Sequence, residues 1–155
     1  MLATRALILL LLTGGYATAH GGVRWPVSAV QAVSALNGIC VQSYPSFQKA
    51  DALRTQFELF DRVDGGRVAH HDLELFVHLN VAGNIQACSI IYGSDMPRAR
   101  MLAELGQIVG RIEALPTIAT ARQGNTNIGV RVDQTTGPNP DHTYISMTII
   151  SFNPD

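Results

Sequence analysis

Apolar residues return along the chain with two periods, one near 3.6 and one of 2, and the switches between them divide it into elements. Val30, Val33 and Leu36 recur every three residues after Pro26, with Ser28 placed to cap the first turn. They predict a first helix that either ends at Asn37-Gly38 or runs through it to carry Cys40. Phe47, Ala50, Leu53, Phe57 and Phe60, opposite Lys49, Arg54 and Glu58, predict a second helix capped by Ser46. At Asp72 the period drops to 2. Leu73, Leu75, Val77, Leu79 and Val81 alternate with Asp72, Glu74, Phe76, His78 and Asn80, as in a strand with one buried and one mostly polar face. Ala82-Gly83-Asn84 supplies a turn and Ile85 to Tyr92 a second strand, which completes a hairpin. Pro97 opens a third helix with Leu102, Leu105, Ile108 or Val109, and Ile112 on its apolar stripe and Pro116 as its stop. Thr117 to Arg122, Ile128 to Gln134 and His142 to Phe152 read as three more strands. Gly124-Asn125-Thr126 and Gly137-Pro138-Asn139-Pro140-Asp141 separate them. The order ααββαβββ with short joints predicts an α+β domain: an antiparallel sheet of about five strands with two to three helices packed on one face.

The first residues belong to a different class. Arg5 precedes the apolar run Ala6 to Leu12, and Ala17-Thr18-Ala19 matches a signal-peptidase site, so residues 1–19 read as a signal peptide and 20–155 as a single domain. The apolar run is too short to span a bilayer, and the chain is expected to be periplasmic or secreted. Loss of Arg5 with the leader moves the net charge from −1 to −2. The remaining arginines are scattered, which argues against a nucleic-acid partner. Export also changes how the cysteines read: Cys40 and Cys88 are the only pair, and in an oxidising compartment a pair that far apart is most simply a disulfide.

Three chemistries compete for the polar residues. Asp61 to Asp72 resembles a calcium loop, with Gly66 and Val68 in register, but Val63, Gly65 and Ala69 stand where oxygen ligands belong. Asp64-Gly65-Gly66 is then a turn between helix and strand. His70 and His71 would face opposite ways in a strand, and His78 would lie roughly 26 Å from His70, so no zinc site forms within that strand and the three histidines read as solvent-facing or loop residues. Cleavage after Ala19 would expose His20 as an N-terminal copper chelate completed by His142 or His78. Asp72, Glu74, His78 and Asp133 are the candidates for acid–base work in a small hydrolase or lyase.

A cysteine followed by Pro45-Ser46-Phe47, an amphipathic helix, a strand and then Cys88-Ser89 resembles a group of small exported alphaproteobacterial proteins without assigned function. The resemblance covers roughly Val30 to Tyr92. It implies an envelope setting and a Cys40–Cys88 bridge, and carries over no catalytic residue. No P-loop, dinucleotide fingerprint, nucleophile elbow or zinc-protease helix occurs, and no cofactor is expected. The sequence therefore points to a binding or protein-interaction module of the envelope, whose partner is a protein or small ligand.

Overall fold

The computed structural model describes residues 24–112 and 115–152; residues 1–19, read above as a signal peptide, and His20 lie outside them. Helix α1 (Ala29–Ala35) begins at a capping box in which Ser28 and Gln31 bond to each other's backbone. Its buried face is Ala29, Ala32 and Val33, followed by Leu36, whereas Val30 is 66% exposed. The helix does run on through Asn37-Gly38, as a π-helical turn over Leu36–Val41, and this places Cys40 in the core.

The second helix is much shorter than its apolar stripe suggests. Helix α2 (Ala50–Leu53) gives way to a 3-10 turn at Arg54–Phe57, and Glu58 then takes a left-handed backbone (φ 55) that ends it. Leu59 is fully buried and Phe60 is 57% exposed, because the chain has already become extended. Strand β1 (Leu59–Val63) turns through Asp64-Gly65-Gly66, where both glycines have positive φ, into β2 (Arg67–His70). The sheet therefore has seven strands rather than about five, and the turn at Gly65 joins two strands rather than a helix and a strand.

Strands β3 (Leu75–Ala82) and β4 (Ile85–Ser94) form the expected hairpin, α3 (Arg98–Val109) follows Pro97, and β5 (Thr117–Gln123), β6 (Thr126–Thr135) and β7 (Thr143–Phe152) complete the fold. The seven strands pair antiparallel throughout, in the order β1-β2-β3-β4-β7-β6-β5, and Trp25 adds an isolated parallel bridge to Leu73. Leu75, Val77, Cys88, Ile90, Tyr92, Met147 and Ile149 pack with Ala32, Leu36, Ile39, Leu102 and Leu105 in the main core. The Cys40–Cys88 disulfide, with a Cα–Cα separation of 5.5 Å, ties the π-helical turn to β4 inside that core.

The other face of the sheet departs from the expected polar surface. Glu74 is 2% exposed and Phe76 fully buried. Phe76 belongs to a second apolar cluster with Ala69, Ile91 and Tyr144. Further along this face the pattern is polar, with Ser89 and Ser146 both hydrogen-bonded to the Thr148 hydroxyl at 2.8 and 3.2 Å.

Candidate functional site

The second cluster is built around Tyr144. In the β4–β7 register this residue stands opposite Gly93, and Gly137 approaches its ring from the segment before β7. A side chain at either glycine would collide with the ring, so both backbones must stay bare for the ring to seat. Glu74 is fixed by backbone bonds on both sides: its amide donates to the Trp25 carbonyl and its carbonyl accepts from the Gly93 amide, each at 2.8 Å. The Tyr144 hydroxyl donates to Glu74 Oε2 at 2.8 Å and accepts from the Asn139 amide at 3.0 Å. Burial pushes the Tyr144 phenol well above its ordinary 10.0, and the hydrogen bond and charge of Glu74 reinforce the shift against the Asn139 amide and Arg24. The phenol therefore remains a donor to the carboxylate. His142 Nδ1 is 3.7 Å from Glu74 Oε1, within ion-pair range but too far for a hydrogen bond, and it has no hydrogen-bond partner among the described residues.

Beside this network lies a cleft of about 340 Å³ lined by Arg24, Val63, Asp64, Arg67, Phe76, Gly137 and Pro138. Two guanidinium groups stand over the buried Phe76 ring, Arg24 at 5.7 Å and Arg67 at 5.9 Å from its centre. Arg24 Nε donates to the His70 carbonyl at 2.9 Å, and its Nη2 lies 3.6 Å from Asp61 Oδ2. Arg67 donates through Nε to the Asp64 carbonyl and through Nη1 to the Thr136 carbonyl, both at 3.3 Å. Arg24 Nη1 and Arg67 Nη2 are left without a partner among the described residues.

A shallower groove of about 410 Å³ runs along Val30, Phe57, Leu73 and Leu75, with Glu58 and His70 at its polar end. His70 is buried, not a solvent-facing histidine, and neither of its nitrogens is spare. Nδ1 accepts from the Asp72 and Leu73 amides at 3.0 and 3.2 Å, which puts the ring proton on Nε2, 3.3 Å from Glu58 Oε2.

The residues singled out from sequence are distributed unevenly around these features. Glu74 and His142 do meet. Asp61 sits on β1 with Arg24 and with exposed His71, whose Nδ1 is 3.1 Å away. Asp72 acts through its backbone, accepting from the Trp25 amide at 2.7 Å, and its side chain is exposed. Asp61 and Asp72 are separated by the β1–β2 hairpin, so the segment from Asp61 to Asp72 is mostly paired strands and not an ion-binding loop. His78 stands opposite Ser89, four residues along the strand from Glu74 or roughly 13 Å. Asp133 is held by Arg131 at 2.6 Å. Among the described residues no three His, Cys, Asp or Glu side chains are placed to share a metal ion.

Arg24, Arg67 and Tyr144 carried no signal in the sequence. The arginines are 43 positions apart and neither belongs to a motif; only the fold brings them to one ring. The one available hint was Gly137, inside a turn too rich in Pro and Asn to suggest close packing. Comparison with known protein families, with curated proteins and with solved structures yields no match for this chain.

Proposed function

We propose that the chain is an exported binding module that takes a small ligand in the cleft between Arg24 and Arg67. The observation that carries this reading is the cleft itself, in which two cations are held in place over Phe76 while each keeps one unpaired terminal nitrogen. The state of the acid–base candidates favours binding over catalysis. Glu74 is sealed beneath Tyr144, Asp133 is engaged by Arg131, Asp72 is exposed, and His78 stands roughly 13 Å along the strand from Glu74. The envelope setting draws support from the buried disulfide, which suits an oxidising compartment. The resemblance to small exported alphaproteobacterial proteins points the same way. Among the described residues no helix is long and apolar enough to cross a membrane.

The test is a thermal-shift screen of the mature domain, disulfide intact, against a panel of small envelope metabolites. A ligand held at about a hundred times its Kd would add about 2.7 kcal/mol and raise Tm by several degrees. Recovery of that compound unchanged after prolonged incubation is the expected result. Its conversion to product would favour the hydrolase or lyase reading, and a flat screen would count against a small-ligand module.

A further inference from the structure

We propose that the cleft is an oxyanion clamp, in which Arg24 and Arg67 together hold the carboxylate or phosphate of a small molecule. The inference rests on the binding-module reading and adds the chemical class of the ligand. Both guanidinium carbons lie within 6 Å of one ring centre, at 5.7 and 5.9 Å, so they are no more than 11.6 Å apart. Arg24 has Asp61 as a partial counter-charge, but among the described residues Arg67 has no carboxylate within ion-pair distance. Of the two cations that line the cleft, only Arg24 is paired with a side-chain carboxylate, so an anionic ligand would supply the counter-charge that Arg67 lacks. The two side chains are also held before any ligand arrives. Each stacks on Phe76 and donates to a backbone carbonyl, that of His70 for Arg24 and that of Thr136 for Arg67. Little rotamer entropy remains to be lost on binding, and the planar forks suit the paired oxygens of a carboxylate or phosphate.

The volume of about 340 Å³ is that of a small-molecule pocket. Asp64, an acid, lines the same cleft, so a ligand that pairs its oxyanion with an O–H or N–H donor is favoured over a bare polyanion. The ligand class is therefore a small molecule that joins an oxyanion to an O–H or N–H donor, as hydroxy acids, amino acids and phosphorylated polyols do.

The experiment is an NMR titration of the mature, disulfide-bonded protein that follows the Nε–H signals of Arg24 and Arg67. Glycolate serves as the carboxylate probe and glycerol phosphate as the phosphate probe. The expected result is saturable shifts of both arginine signals in at least one arm, and the arm that responds identifies the oxyanion. Arg67→Gln should weaken that binding about tenfold or more, and Arg67→Lys, which keeps the charge but loses the fork, should also weaken it. Arg131→Gln, on an exposed arginine elsewhere on the sheet, should leave it unchanged. Silence of both arginines in both arms, or undiminished binding in Arg67→Gln, overturns the clamp. A ligand from the thermal screen that shifts residues outside the cleft also overturns it while leaving the binding-module reading in place.

Discussion

Tyr92 and Tyr144 sit at neighbouring levels of β4 and β7, on opposite faces of the sheet, and both are almost wholly buried. Their hydroxyls differ. That of Tyr144 both donates and accepts, whereas that of Tyr92 has no partner among the described residues. The same substitution should therefore have opposite consequences. Tyr144→Phe leaves the Glu74 carboxylate without its donor and the Asn139 amide without its acceptor, and is expected to cost about 1–3 kcal/mol in urea denaturation. Tyr92→Phe removes an unsatisfied hydroxyl and is expected to be neutral or stabilising by up to about 1 kcal/mol. Both phenols also share a pH dependence. Burial, with Glu104 as a second cause for Tyr92 and Glu74 for Tyr144, raises each above its ordinary 10.0. The native state thus holds these protons more tightly than the unfolded chain, so their contribution is intact below pH 10 and is lost as pH rises above it. Denaturation midpoints compared at about pH 9 and pH 11 should fall, and by less in Tyr144→Phe; an unchanged midpoint would contradict the assignment.

At the scale of elements, the parts that formed as read are those whose signals are long or chemically specific. Ser28 caps α1, Gly83-Asn84 closes the β3–β4 hairpin, and β5 to β7 lie between the expected turns. The β1–β2 hairpin was hidden because Phe47 to Phe60 keeps helical spacing to its end, while the competing alternation of Leu59, Asp61 and Val63 is only three residues deep. What decides the matter is Glu58 in a left-handed conformation, which a glutamate does not announce. The buried second face was hidden for a related reason: Glu74 reads as surface until Tyr144, 70 positions away, arrives to bond it. The disulfide was legible from the cysteine pair alone, and its effect belongs to this scale because it joins two elements. Replacing Cys40 and Cys88 together by alanine should destabilise the domain by about 4 kcal/mol in the chain-entropy account. Equal denaturation midpoints for the double variant and the parent would show that the bridge adds nothing.

The whole molecule divides its labour between the two faces of the sheet. One face, with the helices and the disulfide, holds the apolar core; the other carries a polar network and a cleft. That division makes the cleft a preformed site, because its sides are β1, β2 and β3, Arg24 tied to the His70 carbonyl of β2, and the segment around Gly137, pinned through Asn139 to Tyr144. A segment so pinned should open with the sheet rather than as a free loop. Amide hydrogen exchange at Asn139 tests this most directly. The account predicts protection comparable to the amides of β7, and its loss in Tyr144→Phe. Exchange at the rate of an open loop in the unmodified protein would contradict a preformed cleft.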